Sequence, residues 1–462
     1  MPRMTGIANE FSAPVGPAAE ASNLSVESFH GPAALAQFAS QIDRLNLMTA
    51  DPNPFLSSSF LSCYALHAEY RLPGSEERLF LVREDNRVIG CAPMRLMPDN
   101  LGLQAIALRC IRPRLQLLAP LDTDRPGILA VPEDADRVAA ALVRHLRDRE
   151  HDWDLLEFAG QLPGSTLHRA VHACADRRFR ARDIETEPCN EIELNWPDLP
   201  SYYRSLSKKM RSNISRQARR LFSNAGVEII FADGATATTA WFDAYCELDG
   251  RSWKHGTPAS IQRHPQRLRF YREIVAGHAG LDPSFIGIVL GGVLIAGLIN
   301  GSSASLCTQR HGTWCLEIAY DQSQAHLGAG QLLLLFAVGE AMRRGCRCLS
   351  FMQNFAYYKH RWAARPVPIV SVQLIRRRSL HNLRASLGDL RRHLRQRCGQ
   401  PPQYPIESGR PTDEISAALP GPDPPGRARS RNLAAAALAQ AGAGCRRLDR
   451  VQAADYLPFK IG

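Results

Sequence analysis

The residues with the most chemistry to offer lie between Tyr320 and Trp362. There the turn Ala325-His326-Leu327-Gly328-Ala329-Gly330 runs directly into a long apolar stretch that begins at Gln331. Glycines at 328 and 330 let consecutive N–H groups converge on phosphate oxygens. The first turn of the following helix would add the unpaired amides of Gln331, Leu332 and Leu333 at the positive end of its dipole. Leu327, Gly328, Ala329, Gly330 and Gln331 are thus the expected cradle for a pyrophosphate; the plainer role of such glycines is only to turn the chain. The fuller G-x-G-x-x-G fingerprint of a dinucleotide fold is absent. Direct acyl transfer from a thioester to an amine suits such a cradle. The donor is held, the amine loses a proton, and charge developing on the thioester oxygen meets a hydrogen-bond donor. No covalent intermediate on the protein is needed, so a missing Ser-His-Asp or Cys-His arrangement does not count against it.

Glu317 is the candidate general base. It stands in the strand before the turn, flanked by Leu316 and Ile318, and strand alternation sends its side chain opposite to theirs, into a cleft. An exposed strand acid or an ion-pair partner is its plainer role. Asp321, just outside that strand, is a second candidate that can equally cap the turn. His326 is of a residue type suited to proton transfer, but its place inside the turn favours structure or ligand contact.

These residues need a strand, turn, helix and strand to position them: 313–319, the glycine turn, 331–343 and 347–351. Upstream, the runs 285–289 and 293–298 flank Gly291-Gly292, a favoured two-residue hairpin turn because both positions accept positive φ. A further strand pair is split at Arg310-His311-Gly312. The first half repeats this grammar, with a helix over 55–70, a hairpin from 79–82 to 88–92, a helix over 138–149 and a strand over 154–158. Hairpin, helix, strand in both halves suggests an internal duplication.

Between the halves, Leu206, Met210, Ile214, Gln217 and Leu221 recur at three- or four-residue steps, which predicts a helix with one packing face. Six basic side chains occupy the rest of residues 205–222. They form either a solvated face or one turned to an anion; sequence-specific DNA reading lacks a second motif helix. Near the C-terminal end Leu380, Leu383, Leu387, Leu390 and Leu394 make another stripe among arginines. It would pack on its own domain or a partner helix, and its opposite face can rest on an anionic membrane. Eight prolines between Gly399 and Arg427 predict a largely flexible tail. Within it, residues 434–443 can form a local helix and Tyr456-Leu457-Pro458-Phe459 can dock.

Composition sets the outer bounds. A chain of 462 residues is too long for one ordinary core and implies two domains or three. Hydrophobic residues at 45% and charged ones at 22% describe a globular protein. The net charge of +11 draws anionic partners without separating DNA, membrane, nucleotide or coenzyme A. Twelve cysteines without a C-x-x-C, and without histidines at ligand spacing, read as thiols of a reducing compartment, and no metal is expected. The N-terminus reads as a flexible lead rather than a secretory signal, and no run of 18 apolar residues occurs. The expected location is cytoplasmic.

Three blocks resemble the GNAT acetyltransferase superfamily, and more closely the tandem-domain proteins called CelD-like or BioF2-like, relatives of the FemAB aminoacyl transferases. They are the basic helix from Leu206 to Leu221, the glycine turn at 328–330 with its apolar helix, and Ser350-Phe351-Met352-Gln353-Asn354 followed by Tyr358-Lys359-His360-Arg361-Trp362. Asn53-Pro54-Phe55, residues 88–93 and residues 153–158 extend the likeness to roughly 28–375. The resemblance implies a mixed α/β (α+β) fold of tandem GNAT-like domains, each a central, mostly antiparallel sheet flanked by helices. A lead at 1–25, a degenerate domain at 26–195, a donor-binding domain at 196–397 and a tail at 398–462 follow.

It also implies acyl-CoA, acetyl-CoA first, as cosubstrate, and a small-molecule or saccharide-related amine as acceptor. Tyr358 would protonate the departing thiolate, while Lys359 and Arg361 would contact donor phosphate or an acidic acceptor. Ala325 stands where relatives place Gln or Arg, Ser350 where they carry an acid, and Asn354 where they carry glycine. A noncatalytic GNAT-like binding protein or adaptor, and a FemAB-like transferase using aminoacyl-tRNA, are the alternatives.

Overall fold

A computed structural model describes residues 24–50, 52–67, 74–98, 113–118, 125–186, 188–257, 259–303, 312–353, 361–362, 364–397, 427–449, 452–453 and 456–460. The chain opens with β1 (Leu24–His30) and three short helices, α1 (Ala33–Gln37), α2 (Ala39–Met48) and α3 (Ser58–His67). The hairpin β2 (Glu76–Glu84) and β3 (Arg87–Met97), then β4 (Arg114–Leu117) and β5 (Leu129–Ala130), lead to α4 (Ala135–Asp148). Strand β6 (Leu155–Gln161), α5 (Thr166–Ala173) and β7 (Phe179–Glu185) close the first half. Helix α4 forms where Val138, Ala139, Leu142, Val143 and Leu146 repeat at helical steps, and all five are buried.

The second half begins with β8 (Cys189–Glu193), α6 (Leu199–Ser205) and α7 (Lys208–Phe222). Strand β9 (Val227–Asp233) follows, then α8 (Gly234–Asp249), α9 (Pro265–Val275), and the hairpin β10 (Asp282–Leu290) and β11 (Val293–Ser302). Gly291 and Gly292 turn that hairpin with φ of 57° and 79°, the paired positive values that a two-residue turn of this kind demands. Next come β12 (Gly312–Tyr320), α10 (Ala329–Arg343), β13 (Cys348–Gln353), β14 (Arg365–Val367), β15 (Val370–Arg376) and α11 (Leu380–Arg397). The last elements are α12 (Arg427–Ala441) and β16 (Cys445–Leu448).

The strands form two eight-stranded sheets, one ordered β1-β2-β3-β4-β6-β15-β7 with β5 beside β3, the other β14-β8-β13-β12-β11-β10-β9-β16. Each is antiparallel except for a single parallel pair, β4 with β6 and β12 with β13. The series β1-β2-β3-β4-β6 and β9-β10-β11-β12-β13 therefore match in order and direction, which is the duplication expected from the repeated grammar. The halves also exchange strands. β15, from beyond the second half, lies between β6 and β7, whereas β8 pairs with β13 and β14. A boundary drawn near residue 195 thus cuts through both sheets.

One continuous apolar cluster crosses between the halves, joining Phe55, Phe60 and Tyr64 to Trp241, Phe270, Phe285 and Trp314. Phe55 meets Trp314 edge-on at 5.3 Å between ring centres, and Phe60 meets Phe270 at 5.5 Å. Residues 398–426 of the tail lie outside the described residues, and the part that follows them is folded. α12 buries Ala434, Ala437 and Ala441, and β16 pairs with β9 and closes that edge of the second sheet. Tyr456 packs on Phe231 and Phe336, and Phe459 on Tyr203. Helix α11 departs from expectation in another way. Its N-terminal turn is anchored by buried His381, and Asp389 meets Arg180 and Arg182, but Leu380, Leu383, Leu387 and Leu390 are exposed.

Candidate active site

β12 and β13 pair only where Gly312–Trp314 face Cys348–Ser350. Beyond that, both strands bend. β12 carries a bulge: Ile299 faces Glu317 while its neighbour Asn300 faces Cys315, leaving Leu316 extra. β13 kinks at Met352, which has φ of 61° and whose amide donates to Ser350 Oγ at 3.1 Å. Among the described residues, the parallel register of β12 with β13 ends at Trp314 and Ser350, and Leu316–Tyr320 run on beyond it. The result is a wedge at the carboxyl ends of two parallel strands, a place where open α/β sheets bind ligands.

The glycine turn sits at the end of this wedge. Residues 322–327 form a 3-10 turn capped by Asp321, whose Oδ1 accepts from Ser323 N at 2.9 Å. Asp321 is buried and also meets Arg251 at 2.7 Å, so its structural role is to cap the turn and tie it to the chain following α8. Gly328 takes a left-handed φ of 68°, and a Cβ there would overlap Gln217 of α7. At Gly330 a Cβ would lie 2.9 Å from Tyr320 Cδ1. Arg220 of α7 donates to His326 O at 2.8 Å and fixes the turn from outside.

Helix α10 starts at Ala329, two residues earlier than its apolar run suggests. The amides of Gln331 and Leu332 both close on Gly328 O, at 3.1 and 3.3 Å, so they are not the open groups expected. Among the described residues, the amides without an acceptor are those of Ala329 and Gly330. Two side-chain oxygens, Gln217 Oε1 and Gln331 Oε1, are buried there without a donor. Unpartnered polar groups beside two open amides are what a polar ligand would satisfy.

Glu317 lies on the other face of the sheet. Because of the bulge, Leu316 leans with it toward α8 and α9, and only Ile318 keeps to the α10 side. The strict alternation expected around Glu317 is therefore broken. Glu317 is buried and accepts from Lys254 Nζ and from Arg267. Tyr245 and Asp249 stand in the same region, their hydroxyl and Oδ1 buried without partners, while Asp249 Oδ2 accepts from Ser260. Burial, aided by the charges of Glu317 and Asp249, pushes the Tyr245 phenol well above its ordinary value. The sequence reading did not single out Lys254, Arg267 or Tyr245; only Glu317 of this cluster carried a local signal.

Of the remaining expected residues, Arg361 is half-buried and has no ion-pair partner among the described residues. Tyr358, Lys359 and Asn354 lie outside the described residues. Ser350, in place of the acid found in relatives, is buried and serves the β13 kink through its hydroxyl.

The second sheet is thus mostly antiparallel, opened at one parallel pair and followed by a helix that starts at a glycine turn. Residues 208–360 match the family model described as an acetyltransferase (GNAT) domain. Among solved structures, the chain is similar to a tandem GNAT protein from the clavulanic acid biosynthesis pathway, at 14% identity over 76% of this chain and 98% of that one, with a TM-score of 0.45. It is also similar to FemX, at 9% identity over 72% and 95% with a TM-score of 0.49. A third is L-PGS from Bacillus licheniformis, at 10% over 76% and 94% with a TM-score of 0.42. No curated protein matches the chain.

Proposed function

We propose that the protein transfers an acetyl or other acyl group from acyl-CoA to an amine of a small-molecule or saccharide-related acceptor, as in CelD-like and BioF2-like tandem GNAT proteins. The observation that carries this reading is the open wedge between β12 and β13, ending at the left-handed Gly328 turn with the free amides of Ala329 and Gly330. The pyrophosphate of coenzyme A would rest on Leu327–Gln331, where the helix start favours negative charge. Its pantetheine arm would run along β12 beyond Trp314 as an added strand does. Arg361 and Lys359 would hold further donor phosphate.

The acceptor enters from the opposite face, beside Glu317. Its nitrogen attacks the thioester carbon, the C–N bond forms and the C–S bond breaks. The amine proton passes to Glu317, directly or through water, and Tyr358 protonates the departing thiolate. Arg267 and Lys254 both donate to the Glu317 carboxylate, so proton uptake requires one of these bonds to open. A free-thiol release assay over a panel of amines tests the reading. Acyl-CoA-dependent thiol release that needs an amine and is abolished in Glu317→Gln supports it; release indifferent to Glu317 removes the base assignment.

Buried free thiols, among them Cys63, Cys91 and Cys246, support a reducing, cytoplasmic setting. A peripheral contact with an anionic membrane belongs to the same proposal. The exposed leucines of α11 share a helix with arginines at 384, 391, 392, 395 and 397, a composition complementary to an acidic lipid surface. No helix among the described residues is long and apolar enough to cross a membrane.

A further inference from the structure

We propose that His168, His172 and Asp183 form a transition-metal site that clips α5 to the edge strand β7. The two histidines stand four residues apart on α5, which puts them on one face, and their rings lie 4.7 Å apart. Asp183 reaches them from β7: His168 Nε2 is 3.1 Å from Oδ2 and His172 Nε2 is 2.9 Å from Oδ1. The three ligand atoms all fall within 4.8 Å of one another.

Ligands held about 2.0–2.2 Å from a tetrahedral zinc ion stand about 3.3–3.5 Å apart. The two histidine–carboxylate contacts therefore need to open by only a few tenths of an ångström to admit an ion. Both imidazoles turn Nε2 to the shared centre, leaving Nδ1 to carry the ring proton as a metal-bound histidine requires. Two imidazoles with one carboxylate select a borderline ion such as Zn²⁺ over Mg²⁺ or Ca²⁺, which prefer oxygen shells. His172 and Asp183 are 41% and 38% exposed, so water completes the shell.

The placement explains what the ion would do. β7 ends its sheet, and edge strands need tying down. On one face Arg180 and Arg182 hold Asp389 of α11. On the other, Phe179 and Ala181 pack into the core below Asp183. The ion would fasten this second face to α5, as the arginines fasten the first to α11. The site belongs to the first sheet, apart from the donor turn on the second, and its sequence signal is His168-Arg169-Ala170-Val171-His172.

The test uses the full chain, free of affinity tag and stripped with chelator, titrated calorimetrically with zinc chloride and, separately, magnesium chloride. One Zn²⁺ binds per chain and raises the melting temperature, and Mg²⁺ does neither. His172→Gln and Asp183→Asn, at half-exposed positions that the fold tolerates, each weaken binding by at least about tenfold. A Co²⁺ spectrum shows weak d–d bands of nitrogen and oxygen ligation. No Zn²⁺ binding by the wild-type chain, thiolate charge-transfer bands, or undiminished binding in a His168→Gln/His172→Gln chain overturns the proposal.

Discussion

Replacing Gly328 by alanine perturbs the donor cradle at its tightest point. The new Cβ has to live at a φ of 68°, which costs a non-glycine residue about 1–2 kcal/mol. It also overlaps Gln217 Cγ and Cδ. Because Gln217 is a flexible side chain, it can swing off its rotamer for about 0.5–1.5 kcal/mol. The total, about 1.5–3.5 kcal/mol, lowers the melting temperature by roughly 3–14 °C if the unit that melts has about 150–250 residues. The turn also loses its aim. Shifting one amide away from an anionic ligand forfeits a charged hydrogen bond of about 1.5–3 kcal/mol, or roughly tenfold to a hundredfold in donor affinity. The assay is thermal unfolding together with calorimetric titration of acetyl-CoA, for Gly328→Ala, Gln217→Ala and the double variant. The double variant regains the overlap part of the loss and keeps the left-handed part, a non-additivity that a double-mutant cycle reads directly. A Gly328→Ala chain with wild-type melting and wild-type donor affinity refutes the reasoning.

Glu317→Gln should lower kcat by about 10²–10⁴-fold with donor affinity unchanged; a purely structural Glu317 would show lowered stability and an unchanged kcat in the folded variant. Lys254→Met leaves a buried carboxylate short of one cation and should destabilise the chain by about 3–5 kcal/mol in chemical denaturation. Burial pushes the thiols of Cys63, Cys91 and Cys246 up to about 12. Because these folded values are raised, the stabilisation is complete below the unfolded value near 9 and is lost as pH rises toward 12. Urea midpoints should therefore fall between about pH 9 and 12, by roughly 1.4 kcal/mol per thiol per pH unit, and midpoints independent of pH there would contradict the burial. Leu383→Ser/Leu387→Ser should abolish co-sedimentation with anionic vesicles and leave the melting temperature unchanged; retained vesicle binding would rule out the α11 contact.

The local parts of the fold are legible in the sequence. The hairpin at Gly291-Gly292, the apolar helix after Gly330 and the matching grammar of the two halves all rest on short-range signals of periodicity and turn chemistry. What escapes is non-local. Nothing near residues 370–376 tells that β15 crosses to the first sheet, because its apolar residues suit either one. The bulge at Leu316 inserts one residue and so undoes a strict reading of which way Glu317 points. Its partners Lys254 and Arg267 lie 63 and 50 residues away, and no spacing rule connects them. In the tail, Ala434, Ala437 and Ala441 find a surface on α8 that only tertiary packing supplies.

The central claim is that the Gly328 wedge binds an acyl-CoA donor. Its most direct measurement is a calorimetric titration of the folded chain with acetyl-CoA, longer acyl-CoAs and free coenzyme A. The account predicts saturable one-to-one binding that weakens in Gly328→Ala. A folded, monodisperse sample that binds none of these ligands would contradict it.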